Sequence, residues 1–513
     1  MSRVVGFEHS RLASRIARIR GDHVTEDTRV EDAPIRRTPY GWGRVILMHL
    51  IVVAVPTLVY YNLRVAGHDL FSLHIVVATT YFITAVVLMW EALITLTRKR
   101  ASRDDPDGSR PRLLARLLGT AGGRLTVADM PPIPSATIIV AAFLPNEREI
   151  IVDTVRHLLT QIHRPTEGFE VILAYNTPTH LHVEDELAAI AAGDAAFRLL
   201  RVEGSESKAQ NVNAAIDIAT GAIVSILDAD HHPCPDCITR AWRWLAQGYD
   251  VVQGRSVVRN HDTNMLTRLI AVEFECIYSV SHTARSLALD TAIFGGSNGY
   301  WRTETIRTVR LDQSMMTEDI DASARAILAG YRIAHDRSII STELAPTTFH
   351  AFWCQRKRWA QGWLQVSLKH QGPIWRTNHL TALQKLHWTY LLLYRELYPL
   401  ITLQIFPVVI SLWLYQGDVP LRTHWFLWLS TVATLASGPI ATISAMKNAH
   451  IRYHWWYGFV YGLTVIVFVM LKNAIVLVAM YDQLFKKTDW VVTRRDISHQ
   501  LEAELAEPES SAA

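Results

Sequence analysis

At 513 residues, half of them apolar and 16 of them tryptophan, the chain exceeds one ordinary domain and places part of itself in lipid. A formal net charge of only +3, with no zinc-finger or base-stacking motif, leaves no case for nucleic acid as a partner. The four cysteines, Cys234, Cys237, Cys276 and Cys354, are too few and too clustered for a secreted disulfide framework, so the segment carrying them is expected in a reducing compartment.

In chain order, a polar, Arg-rich segment over 1–43 comes first and is expected to be cytosolic. Val45 to Leu63 and Leu70 to Leu96 follow within 44–97, each long enough to cross about 30 Å of hydrocarbon as a helix. With their short connection they predict a helical hairpin. The first is not a cleavable signal peptide, because the long polar lead precedes it and no small-residue cleavage site follows. Arg36, Arg37 and Arg44 crowd the start of the first run, and Arg98, Lys99, Arg100 and Arg103 crowd the end of the second. By the positive-inside rule both outer flanks are cytoplasmic.

Over 98–349 no run reaches spanning length. ATIIVAAFLP, FEVILAYN, FRLLRVEG and AIVSILDAD predict buried parallel strands, with IIVDTVRHLLTQI and KAQNVNAAIDIA as amphipathic helices between them. The expected fold is a doubly wound α/β domain, which puts its ligands at the carboxyl ends of its strands. Met265 to Leu287 is amphipathic enough to lie along a membrane surface, with a core helix as the alternative. Interfacial helices are expected over 350–389, including one over Trp353 to Lys369. Three further spans are expected over 390–481: Tyr390 to Tyr415, Trp425 to Ala445 and Trp456 to Tyr481. A tail over 482–513 is first basic, KKTDWVVTRR, and then acidic, LEAELAEPESSAA. Two spans before the domain and three after it would carry the tail to the far side, whereas its basic stretch argues for the cytoplasm. Either one candidate lies in the interface or a helix pair hides in a long run.

Several polar groups sit where such a sheet binds ligands. Asp228 and Asp230 of D-A-D follow a strand, and two carboxylates at that spacing can share a divalent cation bound to a diphosphate. An Asp turn that merely ends the strand is the bland alternative. Lys208 opens a helix, where its ammonium and the exposed backbone N–H groups suit a phosphate. Pro145 to Glu147, P-N-E, offers a carboxylate to a ribose or a base edge. Glu318, Asp319 and Asp321 stand at a helix start, either as dipole-complementing acids after Thr317 or with one of them as a general base. His231 to Cys237, HHPCPDC, contains legal zinc ligands, but Pro233 and Pro235 read as a helix entry and no second ligand pair has convincing spacing. Met315 and Met316 are expected to be packing residues. Cys354 to Trp363, CQRKRWAQGW, gathers three cations and two tryptophans, as a headgroup-facing surface would.

P-N-E, the KAQNVN run, D-A-D, IFGGSNGYWR, T-E-D and QRKRW stand in this order over Ser135 to Trp363. Each motif alone is weak, but the ordered set resembles the processive family 2 glycosyltransferases, the cellulose, chitin, hyaluronan and related polysaccharide synthases. The resemblance implies a GT-A, Rossmann-like domain in the cytosol between transmembrane helices. It implies a UDP-sugar donor gripped by Glu147, Asn176, Lys208, Asp228, Gln355 and Arg358, with Mg²⁺ or Mn²⁺ on Asp228 and Asp230. Asp319, with Glu318 beside it, is implied as the catalytic group that deprotonates the acceptor hydroxyl. Gly296 and Ser297 match the acceptor loop, spanning Ile293 to Ser297, and Trp359 the floor under the terminal acceptor sugar. An indole suits the C–H face of a pyranose, and Arg358 would stabilise charge growing on the leaving diphosphate.

Two positions depart from the family pattern: Asn176 stands where a carboxylate is usual, and Gly295 where the acceptor loop usually has cysteine. An amide brings hydrogen bonds but no charge, so the nucleotide grip differs. The expected activity is inverting transfer that polymerises a sugar, UDP-glucose by family frequency, into a β-linked chain passed through the bilayer. UDP-GlcNAc and alternation with a uronic acid stay open. The expected setting is the plasma membrane, with the growing polysaccharide and an accessory subunit as possible partners. A nonprocessive enzyme acting on a lipid carrier is the alternative, and a noncatalytic subunit is disfavoured because Asp228, Asp230 and Asp319 are all present.

Overall fold

The computed structural model describes residues 41–96, 130–417 and 424–485. Most of the expected cytosolic segment 1–43, the basic stretch after Leu96 and the tail from Lys486 on lie outside the described residues. One sheet of eight strands organises the domain: β1 Ala136–Phe143, β2 Phe169–Asn176, β3 Phe197–Arg201, β4 Ile223–Asp228, β5 His232–Pro233, β6 Val251–Val258, β7 Gly299–Arg302 and β8 Ile333–Glu343. Their order is β3-β2-β1-β4-β7-β6-β8-β5. The four strands expected from the apolar runs are β1 to β4, and they pair in parallel. Beyond β4 the sheet turns mixed, because β7 runs antiparallel to both β4 and β6.

Alternation along the strands sends successive side chains to opposite faces, and helices cover both. In β1, Ile138 and Val140 join the core beneath the helices α3 Ile151–Gln161, α4 His182–Gly193 and α6 Cys237–Leu245. Ile139 and Ala141 face the opposite core, under α5 Lys208–Ile218, α8 Thr303–Val309 and α9 Glu318–Leu328. All four cysteines are free thiols.

Among the described residues, five helices are long and apolar enough to cross a membrane: α1 Trp42–Val65, α2 Phe71–Leu96, α11 Ala382–Gln416, α12 Trp425–Asn448 and α13 Trp455–Leu484. They lie on the five runs expected, with α11 starting well before Tyr390. In the most apolar windows of α1 and α2 only 17% of the residues are buried, so most of their side chains face outward as lipid-facing positions do. α2 and α12 run side by side along a seam of small residues. Ser430 donates to the Ala78 carbonyl at 2.7 Å, and the hydroxyls of Thr95 and Ser444 meet at 2.8 Å. Small side chains let the backbones approach closely where lipid supplies no hydrophobic drive.

Two more helices connect domain and bundle. Residues 265–289 form α7, a continuous helix with a π-helical stretch over Glu275–His282. Its burial fits the core-helix alternative: Ile270 and Ala271 are buried, and Val280 packs with Ala92 of α2 and Ala445 of α12. Glu91 of α2 accepts from Ser281 at 2.5 Å and from Arg285 at 2.8 Å. The second is α10, a single helix over Phe349–Arg376 that carries the whole basic cluster.

Candidate active site

The parallel strands end at one edge, since β1 pairs Phe143 with Asn176 and Ala141 with Asp228. Just beyond β1, the carboxylate of Glu147 accepts the Phe143 N–H at 2.6 Å, which fixes it in the turn. Asn176 donates to the Ser205 carbonyl at 2.8 Å and accepts from Asn211 of α5 at 2.8 Å. Both ends of this amide therefore engage the protein, which ties the end of β2 to the start of α5.

Ser207 caps α5 by accepting the Gln210 N–H at 3.2 Å, which frees the next residue, Lys208, to reach across the edge. Lys208 pairs with Asp228 and donates to the Gly296 carbonyl at 2.6 Å. Burial opposes the ammonium charge, yet Asp228, Glu318 and Asp319 together hold its pKa above the ordinary lysine value. The loop 293–297 is pinned from three sides. Gln253 of β6 accepts the Gly295 N–H at 2.8 Å and donates to the Ser297 carbonyl at 2.9 Å, the Asp228 N–H donates to the Ser297 hydroxyl at 3.0 Å, and the Phe294 N–H donates to Ser323 of α9 at 2.9 Å.

Gly296 sits at φ +86° with a Cβ position only 2.9 Å from Oδ2 of Asp319. Only glycine fits there, so the loop and the first turn of α9 close on one another. Burial, and then the neighbouring Glu318, push the Asp319 carboxyl up to about 7 against the pull of Lys208 and Arg358. That value suits a proton acceptor near neutrality. Thus Lys208, Asp228, Gly296, Ser297 and Asp319, distant in sequence, share one cleft.

Asp228, Asp230 and His231 bring possible ligand atoms within 4.8 Å of one another, the one such group of three among the described residues. The two carboxylates suit Mg²⁺ or Mn²⁺, which take oxygen ligands. Both ring nitrogens of His231 have protein partners, Ser341 at 3.0 Å and Glu343 at 2.9 Å, so its imidazole is better described as a wall of the site. One carboxylate oxygen of Asp230 accepts the Leu344 N–H at 2.9 Å, which aims the side chain. The zinc alternative finds no convergent set: His232 stacks on His157 at 4.6 Å, and Cys234 and Cys237 lie on the helix entry.

In α10, Gln355 is buried and Arg358 donates to the Met316 carbonyl at 3.2 Å, close enough to Asp319 to pull on its proton. Met316 also donates its N–H to Gln365 at 3.0 Å, so the loop before α9 is held by α10 through its backbone. Arg356 stacks its guanidinium 4.3 Å from the Trp359 ring centre while pairing with Glu273 of α7 at 2.7 Å. Glu273 in turn meets Lys472 of α13 at 2.5 Å. Sequence reasoning passed over Gln253, weighed His231 only as a zinc ligand and counted Arg356 only as one cation of the basic cluster. The polar letters inside VVQGRSVV were the available signal for Gln253, since a buried strand carries polar groups only where they are partnered.

Two family models cover the segments that form this edge of carboxylates, lysine and glycine loop. Residues 137–308 match the model described as Glycosyl transferase family 2, and residues 223–477 match Glycosyl transferase family group 2. The chain carries family 2 glycosyltransferase domains, folded as a GT-A-like mixed sheet flanked by apolar helices. Among curated relatives, glucomannan 4-beta-mannosyltransferase 1 of Oryza sativa subsp. japonica is 24% identical over 237 residues, 45% of each chain. Glucomannan 4-beta-mannosyltransferase 7 of Arabidopsis thaliana is 24% identical over 284 residues, 53% of this chain and 48% of that one. The match thus spans about half the length of these relatives. A solved structure, the mannosyltransferase PcManGT from Pyrobaculum calidifontis in complex with GDP-Man and Mn²⁺, aligns over 82% of this chain and all of its own, at 19% identity and a TM-score of 0.47.

Proposed function

We propose that the protein is a membrane-embedded, inverting, processive glycosyltransferase that extends a β-linked polysaccharide from a nucleoside diphosphate sugar. The observation that carries this reading is the Asp319 carboxylate, raised to about 7 and set against Gly296, beside the Lys208 and Asp228 pair. Asp319 takes the proton of the acceptor hydroxyl as its oxygen attacks the anomeric carbon. The bond from that carbon to the diphosphate oxygen breaks as the new bond forms on the opposite face, so an α-linked donor gives a β product. Glu318 keeps the base's pKa high. Lys208 and Arg358 meet the charge growing on the diphosphate, Glu147, Asn176 and Gln355 line the donor side, and Gly296, Ser297 and Trp359 hold the acceptor. A divalent cation on Asp228 and Asp230 supplies further charge for the diphosphate when bound.

In this reading the domain over 98–349 faces the cytoplasm, the helices over 350–389 lie at the interface, and the plasma membrane is the setting. UDP-glucose stands first among donors by family frequency, and the mannose in the relatives' names puts GDP-mannose in the same test. Purified protein is supplied with radiolabelled UDP-glucose, UDP-GlcNAc and GDP-mannose in turn, and the product is digested with linkage-specific hydrolases. A long chain cut by a β-specific hydrolase is expected. A single sugar on a lipid would replace this reading with the nonprocessive one, and no transfer from any donor would overturn both.

A further inference from the structure

We propose that Gln365, beyond the basic cluster on α10, is a positioning residue for Asp319: it fixes the backbone three residues before that carboxylate, an inference that rests on the reading of Asp319 as the base. The start of α9 is not fixed by its own cap. Thr317 occupies the N-cap position, yet its side chain makes no capping hydrogen bond, so the first turn takes its placement from neighbours. α10 supplies them along one face. Arg358, Gly362, Gln365 and Lys369 are spaced as a single stripe along a helix. Arg358 donates to the Met316 carbonyl at 3.2 Å and Gln365 accepts the Met316 N–H at 3.0 Å, so both backbone groups of one residue are held. A Cβ on Gly362 would lie 2.8 Å from the Thr317 nitrogen, and only glycine lets α10 come so near the chain here.

One turn further along α10, Lys369 and His370 meet Oδ1 of Asp321 at 2.8 and 2.7 Å, while Arg325 takes its Oδ2 at 2.6 Å. Two residues apart on a helix, Asp319 and Asp321 point about 200° apart. Asp321 is fully buried and engaged on both oxygens, so it anchors the body of α9 to α10. Asp319 is left for the cleft, where Glu318 of α9, Lys208 of α5, Arg358 of α10 and Tyr278 of α7 are the titratable groups that act on it. Gln365 thus fixes where α9 starts, and Asp321 fixes how it lies. With the Met316 N–H released, the first turn shifts and carries the base with it, and small displacements are costly where reacting atoms must meet at about 3 Å. Gln365 has a second bond: its amide donates to Oε1 of Gln483 in α13 at 3.1 Å, as Gln361 does at 3.2 Å. Bracing α10 against α13 is therefore the bland role, and Gln483 separates the two.

The test compares Gln365→Met, which keeps the side chain's length and removes both hydrogen bonds, with Gln483→Met, which removes only the bonds to α13. Both are made in the full chain and read on protein shown to be folded. The first measurement needs no substrate: the pH at which the protonated carboxyl of Asp319 appears in difference infrared spectra, assigned as the band that Asp319→Asn lacks. Gln365→Met is expected to move this titration below the parent's value of about 7, because a loosened turn lets water reach the carboxylate. The second is transfer from the donor found above, where Gln365→Met should lower kcat about tenfold with donor KM within about twofold. Gln483→Met should leave both as in the parent. A titration that stays where the parent has it, or that Gln483→Met moves as far, would overturn the proposal. Should Gln365→Met not fold, Gln365→Asn, which keeps the amide but is too short for Met316, is read against the same limits. If Asp319→Asn lacks no such band, Asp319 is not the group that titrates near neutrality, and the reading of the base falls together with this one.

Discussion

The two sides of the cleft are built by different means. On the side proposed for the donor, Glu147, Asn176 and Asp228 stand at or just beyond the ends of neighbouring parallel strands, and Lys208 opens the helix after β3, so each is placed by a short stretch of chain. On the side proposed for the acceptor, Gly296, Ser297, Asp319, Arg358 and Trp359 come from a loop and two helices that are held by elements distant in sequence, through Gln253, Ser323, Met316 and Glu273. A side built from strand ends tolerates change next to it, whereas one built by mutual packing passes a small displacement to the reacting atoms. Each substitution below should therefore reveal the side it acts on by which quantity it changes.

The largest contrast is between the base and the metal carboxylate. Asp319→Asn is expected to slow transfer by about 10² to 10⁴ with donor affinity within a few-fold, because the lost group acts on the acceptor. Asp230→Ala, or EDTA on the unaltered protein, should instead weaken donor binding, by about 10- to 100-fold for the variant. Titration of donor binding alongside turnover separates the two. Equal loss of donor affinity in both variants would mean that the cleft does not divide as described.

Next in size is Gly296→Ala, about 10- to 100-fold in rate. The added Cβ would meet Asp319 at 2.9 Å on a backbone held at φ +86°, so the base moves although no chemical group has been removed. The profile should copy Asp319→Asn in kind and not Asp230→Ala.

How much of this was legible in the residues follows the same division. The D-A-D pair and Lys208 could be read because an apolar strand or a capped helix start announces each of them, and the five apolar runs announced themselves by length. The second half of the sheet could not be read that way. β6 is fully buried yet contains Gln253 and Arg255, whose partners come from the distant loop 293–297 and from α7, so the apolar run that marks a strand is interrupted. Arg356 looked like one more cation of a headgroup surface, and only the fold shows it between Glu273 and Trp359. That α13 meets α7 and α10 is a matter of packing, which an apolar run does not encode.

A third contrast lies within one helix turn and is read by pH. Burial and Glu318 raise the Asp319 pKa to about 7, so transfer should fall about tenfold per unit below that value as the base takes up a proton. Because the folded value exceeds the ordinary aspartate one, its contribution to stability is present in acid and is lost as pH rises through about 7. Asp321 has the opposite sign. Burial alone would raise its pKa, but His370, Lys369 and Arg325 hold it well below the ordinary range, so its contribution is present at neutral pH and lost in acid. Thermal melts across pH 4 to 8 should therefore show Asp319→Asn more stable than the parent at the alkaline end and Asp321→Asn less stable throughout the neutral range. If Asp319→Asn kept the acid limb of the rate profile, another group would be the base.

The smallest expected effect divides the basic cluster itself. Arg358 is close enough to Asp319 to influence its proton, whereas Trp359 is held by the Arg356 stack and does not enter the bonds that fix the loop or the base. Arg358→Ala should lower transfer even to a short soluble acceptor, since it removes positive charge from beside the leaving group. Trp359→Ala should cost only about 2- to 10-fold in acceptor hold, the scale of one aromatic contact, and should shorten the product instead of stopping the reaction. Rate and chain length have to be measured separately, on protein shown to be folded. If the cluster only anchored the protein among headgroups, the two variants would lose stability together and keep the same rate per folded molecule, and the acceptor side would then end at Asp319.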